Sequence, residues 1–254
     1  NIYALEVKGT FDDCQQMVKQ AFTDTDLNSK LFLTSANSIN VARWLPQQLY
    51  YFLAYKQWPD KNQPPVVCVP SGNFGNICAG ILAHKSGLPV EHFIAACNVN
   101  DIVSNYLETE ILNPKQAVAT LSNAMDVGNP SNFVRIIELF HHQFPELKTR
   151  LSSSTISDET TLATIRSVFD EYGYTLDPHG AVGYAALTQY LAGSDRKGLF
   201  LETAHPVKFP EAVEEATKQK IAIPASLTGI MSAEKTSLQI EAEFRVLKAF
   251  LIDR

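Results

Sequence analysis

The sequence predicts an α/β fold with a mainly parallel sheet flanked by helices. Three observations carry this. Short apolar runs alternate with stretches of helical period. Val66-Val67-Cys68-Val69 is apolar at every position, the pattern of a strand buried on both faces. A glycine-containing loop, a helical stretch and a second strand-like run then follow, which together make one βαβ unit.

Taken in order, Ile2 to Val7 reads as a strand. Thr10-Phe11-Asp12-Asp13 opens a helix, with two acids in the first turn where the helix dipole favours them. Leu31-Phe32-Leu33-Thr34 is strand-like. Ser38 to Lys56 carries Ile39, Leu45, Leu49, Phe52 and Leu53 at helical spacing. Asp60 to Pro65 is a polar, proline-bearing loop. After the strand at 66–69, residues 71–76 form a loop and Ile77 to Ser86 a helix, which Gly87-Leu88-Pro89 stops. His92 to Ala96 is a strand. Asn98 to Leu112 reads as loop-rich, Asn132 to Phe140 as helical, and Ser152-Ser153-Ser154 as a loop. Ser157-Asp158-Glu159 caps a helix running to Tyr172. His179 to Leu191 is a helix, Leu199-Phe200-Leu201 a strand, and a helix starts near Phe209. The tail from Gln219 to Arg254 gives no catalytic signal. No Pro/Gly-rich linker divides the chain, so residues 1–254 read as one body.

Composition narrows the function. A chain of 254 residues buries roughly 70–75% of its unfolded surface and needs no disulfide staples. With 45% hydrophobic and 19% charged residues, it is not a disordered segment. A net charge of −6 offers no basic face for nucleic acid. No apolar run approaches the ~20 residues of a membrane helix. Cys14, Cys68, Cys78 and Cys97 form no CxxC pair and read as buried thiols of a reducing compartment. The six histidines show no metal-ligand spacing, and no GxSxG elbow is present. The chain begins at Asn1 inside a structured-looking segment, which predicts a fragment of a longer protein.

Three loops at strand ends are candidates for chemistry. In Pro70-Ser71-Gly72-Asn73-Phe74-Gly75-Asn76, two glycines stand between a strand and a helix. This is the construction of an anion cradle at a helix amino terminus, and equally of an ordinary strand–helix turn. Neither a Walker loop nor GxGxxG is present. Thr34 to Asn40 crowds polar residues at another strand end, with Arg43 one turn further; a Ser/Asn helix cap is the alternative. The third loop runs from Glu202 to Lys208. Its His205 is a candidate general base or a structural histidine. Asp177-Pro178-His179 reads as an Asx-type turn with a helix cap.

Together, Phe11-Asp12-Asp13-Cys14-Gln15, Asn37-Ser38-Ile39-Asn40, Pro70 to Asn76, Asn98-Val99-Asn100-Asp101, Leu121 to Val127, Asp177-Pro178-His179 and Thr203 to Phe209 resemble threonine synthases, in the same order. The likeness is close over residues 1–215 and looser in the tail. It implies a three-layer, open twisted, mainly parallel sheet: the large domain of a fold-type II pyridoxal-phosphate enzyme. It implies a cytoplasmic lyase of threonine biosynthesis, acting on a carbon–oxygen bond to phosphate. That enzyme turns O-phospho-L-homoserine and water into L-threonine and phosphate as a monomer or homodimer. Gly72, Asn73, Phe74, Gly75 and Asn76 would cradle the phosphate of pyridoxal 5'-phosphate, and Thr203 would meet its pyridine nitrogen. Asn37, Ser38, Asn40, Arg43 and Lys208 would contact substrate or cofactor. No lysine matches the family's Schiff-base motif. Lys85 lies in a helix and Lys208 follows the ring loop, so this chain reads as the carboxyl-terminal part, inactive alone. Other readings are a threonine-synthase-like phospholyase releasing a keto acid, and a non-catalytic phosphate- or amino-acid-binding module.

Overall fold

A computed structural model describes residues 2–253. The chain divides into two compact units, residues 36–222 and residues 1–35 with 223–254. The first 35 residues supply β1 (Leu5–Lys8), α1 (Phe11–Thr23) and α2 (Thr25–Lys30). The larger unit opens with α3 (Trp44–Gln57), β2 (Val66–Pro70), α4 (Gly75–Lys85), β3 (His92–Cys97) and α5 (Ile102–Thr109). It continues with α6 (Phe133–Leu139), α7 (Phe144–Arg150), β4 (Leu151–Thr155) and α8 (Asp158–Tyr172). It closes with α9 (Pro178–Leu191), β5 (Gly198–Phe200) and α10 (Pro210–Thr217). The tail adds α11 (Thr228–Met231), β6 (Leu238–Glu241) and α12 (Phe244–Ile252).

In the larger unit four parallel strands lie in the order β4-β3-β2-β5. Side chains alternate across this sheet, because successive residues of a strand face opposite ways. Val67, Val69, Phe93, Ala95 and Cys97 join one core with residues of α3 to α7. Val66, Cys68, Ile94 and Ala96 join another with Val182, Ala185 and Ala186 of α9. Helices therefore cover both faces, the three-layer arrangement that the sequence predicts. From β2 the chain steps outward through β3 to β4, then returns to place β5 on the other side of β2. The reversal lies between β2 and β5, and in open α/β sheets ligands sit outside the carboxyl ends of the strands at such a point.

The smaller unit pairs its two ends. β1 and β6 run parallel, with Leu5 opposite Leu238 and Lys8 opposite Glu241. Thr10 caps α1 and exchanges hydrogen bonds with Asp13, a capping box that explains the acidic start.

Three expectations fail for stated reasons. Leu31 to Thr34 forms no strand: no neighbour supplies a ladder, and Phe32 is 98% exposed. Residues 98–112 contain α5, whose buried Ile102, Val103, Tyr106 and Leu107 recur at helical spacing. Ser152-Ser153-Ser154 is not a loop but the middle of β4 at the sheet edge. There a polar strand is tolerated because the hydroxyls bond inward: Ser153 Oγ donates to Ala95 O at 2.8 Å, and Ser152 Oγ meets His92 Nε2 at 2.8 Å. The apolar spacing of residues 38–56 does mark a helix, but the buried side is Trp44 and Tyr51, while Leu45, Leu49 and Leu53 face outward.

Candidate functional site

β2 ends at Pro70, and Ser71 N–H still donates to Ala96 O at 2.8 Å. The next six amides, from Gly72 to Ile77, find no acceptor in the described chain; intrahelical bonding of α4 begins at Cys78 N–H to Phe74 O, 3.1 Å. Phe74 stands in the left-handed region at φ 64°, which turns the loop into the helix. That conformation is costly for a residue with a side chain. It is held by the Phe74 ring, buried edge-on against Phe133 at 5.5 Å. Backbone N–H groups sheltered from water are nearly always paired, so a row of six without acceptors at a helix amino terminus is built for an anion.

The neighbours of this loop fix its shape. A Cβ on Gly72 would lie 2.6 Å from Met125 Cα, and one on Gly75 would lie 2.6 Å from Ser38 Cβ. Asn73 Oδ1 accepts from Ser131 N at 2.8 Å and Ser131 Oγ at 3.1 Å. Ser38 Oγ accepts from Asn132 Nδ2 at 2.9 Å. Arg135, stacked on Trp44, donates to Ser38 O at 3.1 Å and Ile39 O at 2.7 Å. Behind the loop, the turn at 122–126 is tied to the end of β3. Asp126 accepts from Asn98 Nδ2 (2.9 Å), Asn100 Nδ2 (3.2 Å), Thr120 N (2.9 Å) and Thr120 Oγ1 (2.7 Å). Tyr51, fully buried, donates its hydroxyl to Asn76 O at 2.9 Å.

These groups surround a cavity of about 250 Å³ lined by Ser38, Arg43, Gln47, Gly72 to Asn76, Ala124, Met125, His179 and Thr203. The Arg43 side chain makes no hydrogen bond or ion pair within the described residues, so its charge is available to a ligand. The structure thus gathers Ser38, Arg43, the whole 72–76 loop and Thr203. It leaves three of the sequence candidates off the wall. Asn37 Oδ1 accepts from Ser38 Oγ at 3.1 Å. Asn40 caps the turn at 41–43 by accepting from Ala42 N at 3.1 Å. Lys208 is exposed at the end of the turn Pro206–Lys208. His205 accepts from Val207 N at 3.1 Å, a structural role, and lines a different cavity of about 450 Å³ with Tyr174 and Glu202. Among the described residues, no lysine lines the 250 Å³ cavity. Lys85 instead pairs with Glu146 at 3.1 Å.

The residues that the sequence does not single out are Arg135, Asn132 and Gln47. Arg135 and Asn132 meet Ser38, 97 and 94 residues away along the chain, and nothing in the local pattern of the three sets them apart. Near the cavity, two carboxyls are perturbed in opposite directions. Burial alone would raise Asp177, but hydrogen bonds from His179 hold it below its ordinary range. Partial burial and the Asp177 charge push Glu202 up to about 8.

A family model described as pyridoxal-phosphate dependent enzyme matches residues 3–201, and one described as threonine synthase, C-terminal, matches residues 180–251. Threonine synthase of Serratia marcescens is 46% identical over 254 residues, 99% of this chain and 58% of that one. The crystal structure of threonine synthase from Escherichia coli superposes with a TM-score of 0.93 at 45% identity, covering 99% of this chain and 58% of that one. The PLP-bound threonine synthase of Brucella melitensis gives 0.84 at 33% identity, covering 98% and 59%. The chain therefore spans under two thirds of the length of the relatives it matches. With a switch-point cavity floored by unpaired amides and a family model over most of its length, the chain belongs to the pyridoxal-phosphate-dependent enzymes, and its similarity to threonine synthases runs from end to end.

Proposed function

We propose that the longer protein is a threonine synthase, and that this chain supplies the phosphate end of its cofactor site. The observation that carries the reading is the row of six unpaired amides from Gly72 to Ile77. They match the cofactor phosphate in charge and geometry, since a phosphate accepts several N–H bonds at once. Thr203 would present a neutral hydroxyl to the pyridine nitrogen. When bound, pyridoxal phosphate supplies the electron sink that stabilises carbanions next to the substrate amine. The residues of this chain bind and orient. Ser38 and Arg43 would take an anionic end of O-phospho-L-homoserine, because a chain of net charge −6 needs a local cation to attract it. The buried loop backing, Met125 and Phe74 among it, keeps bulk water from the cradle. In this reading the lysine that anchors the cofactor lies outside these residues. A cytoplasmic location goes with the same reading.

The test mixes the 254-residue chain with pyridoxal phosphate, reduces with borohydride and maps any labelled peptide. Reversible retention of cofactor, no stoichiometric label and no threonine from O-phosphohomoserine are expected. The longer protein is expected to release phosphate and threonine in equal amounts. A single label at Lys85 or Lys208 with threonine formation would overturn the placement of the anchor. A keto acid in place of threonine would assign the longer protein to the phospholyases.

A further inference from the structure

We propose that His179 is a positioning residue that fixes the back of the anion cradle, oriented by Asp177; this rests on the anion reading of the cradle. Asp177 is fully buried and caps α9, accepting from His179 N–H at 2.9 Å and Gly180 N–H at 3.4 Å. The same carboxylate accepts from His179 Nδ1 at 2.7 Å. The opposite ring nitrogen, Nε2, accepts from Ala124 N–H at 3.2 Å. The two partners set the ring as the tautomer with its proton on Nδ1. The ring is 2% exposed and packs at a tilt of 56° against Phe209, with centroids 4.9 Å apart, so it is held from that side as well.

The consequence runs through Ala124. The turn that carries it presses on Gly72, where an added Cβ would lie 2.6 Å from Met125 Cα and 3.0 Å from Ala124 O. Gly72 is the first of the unpaired amides. The Asn98–Asp126 network holds this turn from the β3 side, and His179 holds it from α9. A neutral imidazole suits the place because one rigid ring donates at one end and accepts at the other. The link therefore transmits the position of the α9 amino terminus to the first amide of the cradle. The ring edge also lines the cavity, yet its nitrogens are both engaged, so proton transfer is not its task here.

The test uses the 254-residue chain, inorganic phosphate as probe and amide resonances as readout, with thermal unfolding measured in parallel. In the unaltered chain, phosphate is expected to shift the amides of Gly72 to Asn76 and Ala124 with one common affinity. Nitrogen-15 shifts of His179 are expected to show the Nδ1-protonated ring. His179→Leu keeps an apolar volume and removes the acceptor; it should weaken phosphate at least ten-fold and move the Gly72 and Met125 amides even without phosphate. His179→Gln, which restores an acceptor toward Ala124, should recover most of that loss. Full phosphate affinity in a folded His179→Leu chain would overturn the positioning role while leaving the cradle intact. If the leucine variant unfolds, an Nε2-protonated ring or a rapidly exchanging Ala124 amide in the unaltered chain would overturn it instead. Failure of phosphate to move any of the Gly72 to Asn76 amides in the unaltered chain would bring down the anion reading and the positioning role with it.

Discussion

Gly72 and Phe74 make opposite demands on the same loop. Gly72 has no room for a side chain because backbone lies behind it, whereas Phe74 uses its ring to hold a left-handed turn. Gly72→Ala is therefore expected to cost about 1–3 kcal/mol, the usual range for overpacking against atoms that cannot retreat. Urea unfolding measures the cost, and phosphate affinity should fall with it. Thr203 lines the cavity, and in the proposed reading its hydroxyl meets the pyridine nitrogen. Thr203→Val in the longer protein should leave cofactor bound and sharply lower turnover; unchanged turnover would remove Thr203 from the pyridine nitrogen. Glu202 gives a pH signature. Its ordinary value of 4.5 is raised to about 8 in the folded chain by partial burial and by Asp177. Between those values the folded chain keeps a proton that the unfolded chain releases, so this contribution to stability is full below the window and is lost as pH rises through it. Glu202→Gln should flatten the fall of the urea midpoint across that window.

At the scale of elements, the helix pair α3 and α4 sets the height of the cradle. Gly80 lets the two approach: a Cβ there would lie 2.5 Å from the Tyr51 ring. The Tyr51 hydroxyl in turn bonds Asn76 O in the first turn of α4. Gly80→Ala should push the helices apart, destabilise the chain by about 1–3 kcal/mol and shift the Asn76 amide. If the melting point is unchanged, the close packing is looser than the geometry requires. α9 illustrates a cap with two duties. Asp177 closes the helix amino terminus, as its place before Pro178 predicts, and also orients His179. Its lowered titration adds stability above the ordinary carboxylate range, and that stability is lost as pH falls through the folded value.

For the larger unit as a whole, the strand order does the assembling. Loops after β2 and β5 meet because the chain reverses direction between those strands. Into that crevice the chain brings an unpaired arginine on a background of net charge −6. Arg43→Gln is expected to weaken phosphate binding roughly ten-fold at low salt, about the loss of one charge-assisted contact. The deficit should shrink as salt is added, because the lost attraction is screened. Equal affinity at every salt concentration would show that Arg43 points its charge elsewhere.

What the sequence determined by itself is local: the apolar strand at 66–69, the glycine loop after it, the capping of α1, α8 and α9, and the grouping of motifs in order. These are written in residue type and short spacing, so a single chain suffices to see them. Tertiary structure decided the rest. Leu31 to Thr34 lacks a partner strand and stays irregular, while Ser152 to Ser154 finds one in β3 and becomes a strand. Strand formation depends on what lies alongside, which no local window contains. Arg135 and Asn132 reach the site because α6 packs on α4, bringing them to Ser38, 97 and 94 residues away along the chain. The buried side of α3 was likewise fixed by its contact with Gly80, because both sides of that helix are apolar in sequence and the close approach of two backbones selects one of them.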